Sequence, residues 1–156
     1  MRPTSTTCTR PSPGPPTQIG IDTGRRPEDI LALPVDCLQH DKDGSPVLIY
    51  NNAKADRLAR RLPITQATAA VITEQQERVR ARFPNTPIGE LKLLPTPRRN
   101  PDGRKAISLD ALAGRHREWV AGLGTLRRRD GSEFDNTRIV LYAYRHTYVI
   151  SPALTG

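Results

Sequence analysis

At 156 residues the chain is as long as one ordinary domain, and its apolar share of 36% allows only a lean core. Its net charge is +8, and 20 of its 24 basic residues are arginine. Because the planar guanidinium group pairs with phosphate oxygens, this surplus predicts a polyanionic partner, most often nucleic acid. Two cysteines without CxxC spacing and no histidine cluster argue against a structural zinc site and a disulfide framework.

The N-terminal region is polar and rich in proline, which is not typical of a signal peptide. No apolar run approaches the roughly 20 residues that span a bilayer. We therefore expect a cytoplasmic protein with no membrane partner. Residues 1–16 have almost nothing to bury and predict a disordered arm, with order beginning near Thr17. Gly24 then indicates the end of a helix, and Pro27 indicates the start of a short one.

Three short apolar segments follow, at 35–38, 46–50 and 59–64. Asp43-Gly44 is a turn signal between the first two, and a polar hairpin separates the second from the third. This pattern predicts a three-stranded antiparallel sheet.

A helical pattern runs from Gln66 to Phe83, with Thr65 as N-cap. Its predicted apolar face holds Ala69, Ala70, Ile72, Val79 and Phe83. Residues 84–106 are rich in proline and predict loops. A second helix is predicted from Leu109 to Ala121, with an apolar side of Leu109, Leu112, Trp119 and Val120. After a charged loop, a last helix is predicted from Thr137, which makes the fold α+β, mainly helical with a small sheet.

Three basic residues indicate a function through their order along the chain and the segments around them. Arg26 lies in TGRRPEDILAL between two helices, Lys54 lies at the hairpin tip in YNNAKADRLARRLPI, and Arg145 lies in YAYRHTY. Together these segments resemble the catalytic domain of the tyrosine recombinases, the phage-integrase type, over about residues 17–148. We therefore interpret residues 17–156 as part of such a domain. The resemblance implies that Arg26, Lys54 and Arg145 are catalytic residues in DNA integration and recombination.

The chemistry that the resemblance implies needs no metal and no cofactor. Attack on a DNA phosphodiester builds negative charge on the non-bridging oxygens, which two arginines can bind with charge-assisted hydrogen bonds. A lysine can protonate the leaving oxygen, and a tyrosine hydroxyl of the family is the nucleophile. The implied partner is double-stranded DNA. Because some family members share the nucleophile between protomers, a homo-oligomer on DNA is a further expectation.

The chain also departs from the family pattern. Tyr142 stands at the usual histidine position, three residues before Arg145, and Asp29 replaces the common glutamate. A tyrosine is a poor proton shuttle near neutral pH because its pKa is about 10. Only 11 residues follow Arg145, so we expect this chain to lack the helix with the nucleophilic tyrosine and also the N-terminal DNA-binding domain of the family. We expect a piece truncated at both ends that binds DNA and is inactive alone.

Neither Tyr142 nor Tyr148 is expected to replace the nucleophile, because a residue on an adjacent turn is poorly placed for in-line attack. Core packing is the expected role of both. His146 is expected to pack internally, and no role is assigned to His40 or His116.

Two other interpretations remain open. The chain could cut DNA with a tyrosine donated by a partner in trans. Alternatively, it is a small arginine-rich protein that binds RNA or the ribosome and has no recombinase ancestry. In that last case, the fold is not expected to bring Arg26, Lys54 and Arg145 together.

Overall fold

A computed structural model describes residues 12–52 and 57–145 and shows an α+β fold. The elements in chain order are α1 (Pro15–Thr23), α2 (Pro27–Leu31), β1 (Leu38–His40), β2 (Pro46–Asn52), β3 (Arg57–Pro63), α3 (Gln66–Arg82), α4 (Leu109–Ala121), β4 (Leu126–Arg127) and β5 (Glu133–Phe134). Short 3-10 turns lie at Ile88–Glu90 and Asn136–Arg138.

The corner between α1 and α2 has the predicted form. Gly24 ends α1 in the left-handed region (φ 62°), and its N–H donates to the carbonyl of Gly20 at 3.0 Å. Pro27 is the first residue of α2. Helix α1 begins at Pro15, slightly earlier than the predicted start of order at Thr17. The corner leaves two consecutive arginines between the helices.

The predicted three-stranded antiparallel sheet is confirmed, with strand order β1-β2-β3. Strand β1 lies later than predicted, because Val35 pairs outside this sheet. The Val35 N–H donates to the carbonyl of Leu91 at 2.9 Å, which ties this segment to the loop after α3. The strands pair in register at Leu38 with Leu48 and at Leu48 with Leu62. Lys54, which was predicted to lie at the hairpin tip, is outside the described residues.

Helices α3 and α4 begin where they were predicted to begin. The Thr65 hydroxyl accepts from the N–H of Thr68 at 3.2 Å, and the Ser108 hydroxyl accepts from the N–H of Ala111 at 3.1 Å. The predicted burial of Ala70 is wrong, since this residue is exposed. Gln76 lies on the buried face of α3 instead, and its amide donates to the carbonyl of Val35 at 2.6 Å.

The last predicted helix is wrong over its first half. Residues Asn136–Arg138 form a 3-10 turn that the Asp135 carboxylate caps, and helical structure resumes only at Ala143. The neighbouring β-branched residues Ile139 and Val140 are stiff at χ1, which favours extended backbone over helix. The charged loop before this turn contains the hairpin β4–β5, which the sequence analysis did not predict.

The core is a single cluster between the sheet and the helices. Its fully buried members include Ile19, Leu33, Val35, Leu48, Ile72, Leu91, Leu93 and Leu112. On α4, Leu112 and Val120 are buried as predicted, whereas Leu109 and Trp119 are only half-buried and His116 is buried. Within residues 12–52 and 57–145, no helix has the length and apolar character to cross a membrane.

Gly103 anchors the long loop against the core, and its replacement tests this packing. A Cβ atom there would lie 2.7 Å from Phe83 Cδ2 and 2.8 Å from Leu91 Cδ2, on a backbone with φ +69°. At Gly44 (φ +78°) a Cβ would meet nothing within 4 Å. We expect Gly44→Ala to lower the free energy of unfolding by about 1–2 kcal/mol through backbone strain alone. Gly103→Ala should lower it by roughly a further 1–3 kcal/mol through overpacking. Urea unfolding measures the free energy of unfolding of both variants. Equal losses in the two variants would contradict the close packing of Gly103 against Phe83 and Leu91.

Candidate phosphate-binding site

The corner between α1 and α2 holds Arg25 firmly against the sheet. Its Nη1 donates to the hydroxyl of Tyr50 on β2 at 2.8 Å, and its guanidinium carbon lies 5.2 Å from the centre of that ring. Its backbone N–H donates to the Thr23 hydroxyl at 3.3 Å. No pattern in the sequence singles out Arg25, because its partner Tyr50 is reached only through the packing of β2 against the corner.

Asp29, in the first turn of α2, is the centre of the charged cluster. Burial raises the pKa of this carboxyl, and the positive charges of Arg26 and Arg25 act in the opposite direction. The negative charge of Glu28 raises the pKa further, whereas the positive charge of Arg145 lowers it. Arg26 and Arg145 are far apart in the sequence, yet both lie within electrostatic range of this one carboxylate.

Arg26 and Arg145 are both half-buried. Within the described part of the chain, neither side chain donates a hydrogen bond or forms an ion pair. Arg78 on α3 differs, since it forms an ion pair with Glu74 one turn earlier. Each guanidinium group carries five N–H donors. Since no described residue accepts from those of Arg26 or Arg145, they are available to a ligand.

Tyr142 lies beside this cluster and is not a core residue, which corrects the expectation of core packing. Its side chain is 43% exposed, and its hydroxyl donates to Oε1 of Glu28. This hydrogen bond is the main reason that the pKa of Tyr142 is raised, with burial as a second cause. The hydroxyl therefore stays protonated near neutral pH, and its hydrogen is engaged by a carboxylate.

Arg145 lies in a helical turn that also contacts α4. The Tyr144 hydroxyl and Nε2 of His116 lie 2.7 Å apart, and the two rings meet edge to face with centroids 5.5 Å apart. His116 is only 2% exposed. It was given no role from the sequence, although its position four residues after Leu112 and four before Val120 places it on the buried face of α4.

The other chemically interesting residues do not extend this site. Lys54, His146 and Tyr148 lie outside the described residues, so their predicted roles stay predictions. Cys37 is buried, and burial raises the pKa of its thiol to about 12. In the ranges that the structure describes, no group of His, Cys, Asp and Glu side chains could hold a metal ion.

Asp29→Asn tests the electrostatics of the cluster. Because burial raises the pKa of Asp29 above its unfolded value of 3.8, ionisation of this carboxyl costs the folded protein stability. The stability of the wild type should therefore fall relative to Asp29→Asn as the pH rises from about 4 through the raised folded pKa. Urea unfolding of both proteins at about pH 4 and pH 7 measures the difference. A wild type that gains stability over the variant between these pH values would refute this account.

Comparison with protein-family models, with curated protein sequences and with solved structures returns no match for this chain.

Proposed function

We propose that this chain is a piece of a tyrosine-recombinase catalytic domain that binds double-stranded DNA by a backbone phosphate. The observation that carries the proposal is that Arg26 and Arg145 both lie within electrostatic range of Asp29, with neither guanidinium bonded to a described residue. These are the two arginines that the family motifs select. An unrelated arginine-rich protein gives no reason for both to lie near one carboxylate.

The chemistry of the cluster supports a phosphate as ligand. Two guanidinium groups from different elements can bind the non-bridging oxygens of a phosphodiester from two sides, with bidentate charge-assisted hydrogen bonds. The chain carries a net charge of +8, which attracts DNA over longer distances. Phosphate contacts fix the position of a protein on DNA without reading the sequence of the bases. We therefore propose binding with little sequence preference.

The tyrosines support a protein that binds DNA and does not cut it alone. Tyr50 accepts from Arg25, Tyr142 donates to Glu28, and Tyr144 is hydrogen-bonded to His116. An attacking tyrosine must instead lie in line with the scissile bond, with a free or activated hydroxyl. The hydroxyl of each described tyrosine is engaged in a hydrogen bond to another side chain.

We expect Arg26→Ala and Arg145→Ala each to weaken binding to a duplex of about 30 base pairs by roughly tenfold to a hundredfold. Each variant should also reduce the slope of log affinity against log salt by about 0.9, because one phosphate contact is lost. Fluorescence anisotropy at several salt concentrations measures both quantities. Arg26→Lys keeps the charge and loses the bidentate fork, so its affinity should fall between those of the wild type and Arg26→Ala.

Arg78→Ala is the matched control, since it removes the same charge from the exposed face of α3, where Arg78 pairs with Glu74. An equal loss of affinity in Arg78→Ala would mean that only overall charge matters and would refute the site. Tighter binding to single-stranded RNA of equal length would favour the RNA-binding interpretation.

A nicked suicide duplex tests for strand cleavage. We expect no covalent protein–DNA adduct on a denaturing gel, because the hydroxyl of each described tyrosine is engaged in a hydrogen bond. An adduct that disappears in Arg145→Ala would contradict this expectation and reveal a nucleophile. The Tyr148→Phe variant would then show whether that tyrosine supplies it.

A further inference from the structure

The helical turn that carries Arg145 is held from two sides by alternate tyrosines. Tyr142 donates to Glu28 on α2, and Tyr144 is hydrogen-bonded to His116 on α4. The Ala143 N–H donates to the carbonyl of Val140 at 2.9 Å, which begins the turn between these two anchors. The position of the Arg145 side chain therefore depends on both contacts.

Packing holds this segment on α4 only in part, since Leu141 packs against the core but an open apolar space lies beside it. An apolar cavity of about 430 Å³ lies between α4 and residues 136–142, lined by Leu109, Ala113, Val120, Ile139 and Val140 among others. Val140 is itself 51% exposed. Few van der Waals contacts form across such a space. The hydrogen bond between Tyr144 and His116 therefore contributes a larger part of the free energy that docks this turn on α4.

We infer that His116 is a positioning residue for phosphate binding by Arg145, and that protonation of its ring releases the Arg145 turn and weakens DNA binding. This inference rests on the proposed function. It adds a pH-dependent control to the site, through a residue that does not itself contact the phosphate.

The hydrogen bond fits a neutral imidazole ring. Burial raises the pKa of Tyr144, so its hydroxyl keeps its proton and can donate to Nε2 of a neutral His116. A protonated ring has donors on both nitrogens, so the Tyr144 hydrogen would lose its acceptor. It would also place a positive charge on a side chain that is 2% exposed. The bond would have to reverse, with the Nε2–H donating to the Tyr144 oxygen, so the main cost of protonation is the buried positive charge.

The surroundings of His116 also disfavour its charged form. Burial lowers the pKa of this imidazole below 6.5, and the neighbouring positive charge of Arg117 lowers it further. Helix α4 packs against α2 and against the 3-10 turn at Asn136–Arg138. The charged and titratable groups near His116 come from four parts of the chain. They are Glu28 and Asp29 on α2, Arg138 on the 3-10 turn, Tyr142, Tyr144 and Arg145 on the last described segment, and Asp110, Arg115, Arg117 and Glu118 on α4.

The direction of the pH effect follows from this lowered pKa. Since the folded pKa lies below 6.5, the stabilisation by neutral His116 is complete above that pH. It is lost as the pH falls from 6.5 through the folded pKa, where the ring gains its proton inside the fold. The Arg145 turn should therefore be docked near neutral pH and released in mild acid.

Ordinary electrostatics has the opposite sign, which makes the inference easy to test. Protonation of any histidine adds positive charge, and added positive charge strengthens DNA binding. A DNA affinity that falls on acidification therefore requires a structural effect such as the release of Arg145. The sign of the pH profile separates the two cases without any assumption about magnitude.

The experiment measures affinity for a fluorescent duplex between about pH 5.5 and pH 7.5 at constant ionic strength. We expect the wild type to lose about threefold to tenfold in affinity across this range, in line with the loss of one hydrogen bond. Tyr144→Phe keeps the ring and removes the hydroxyl, so its affinity should be low and independent of pH. His116→Gln keeps an acceptor that does not titrate, so it should bind better than Tyr144→Phe with a flat profile. His40→Gln, on exposed β1, should keep the wild-type profile.

Trp119, the one tryptophan of the chain, gives a second measurement without DNA. Its ring centroid lies 5.8 Å from that of His116, so protonation of the imidazole should change its fluorescence. We expect a titration in the wild type that is absent in His116→Gln, with a midpoint that matches the loss of affinity. Trypsin cleavage after Arg145 should become faster below the same midpoint.

The outcomes separate this inference from the proposed function. An affinity that rises on acidification, or falls equally in His116→Gln, overturns the role of His116. If Arg145→Ala still weakens binding, the phosphate site survives that result. A wild type that binds no DNA at any pH overturns the proposed function and the inference together.

Discussion

The buried carboxylate of Asp29 is the constraint on which the arrangement of the site depends. A partly buried negative charge is unfavourable unless positive charges lie near it, and here Arg25, Arg26 and Arg145 supply them. Two of these arginines come from the corner between α1 and α2, and the third comes from the last described turn. Asp29 therefore gives the last segment an electrostatic reason to dock on α2.

The three arginines divide two tasks between them. Arg25 is fixed by the Tyr50 hydroxyl and by stacking on its ring, so it helps to join the corner to the sheet. Arg26 and Arg145 make no such bonds to described residues, so their donors stay available. This division explains why two adjacent arginines in the sequence are not equivalent. The motif selects Arg26, whereas only the fold shows what its neighbour does.

The sequence predicted the helix ends correctly where the contacts that form them lie within a few residues of each other. Thr65 and Ser108 cap their helices through hydroxyl groups that bond their own first turns, and Gly24 adopts a backbone that few other residues tolerate. One misplaced element depends on a distant partner, because Val35 bonds to Leu91, which delays β1. The spacing of Leu112, His116 and Val120 is compatible with a buried His116, whereas its pairing with Tyr144 is visible only in the fold.

The unpaired state of Arg26 and Arg145 links binding to stability. Arg26 and Arg145 are half-buried positive charges, and Asp29 offsets them only in part, since its own burial opposes its ionisation. An anion bound by both guanidinium groups would balance their charge and accept hydrogen bonds from them. A ligand that binds the folded state alone also stabilises that state. A phosphate bound by both arginines would therefore also stabilise the docked position of the Arg145 turn.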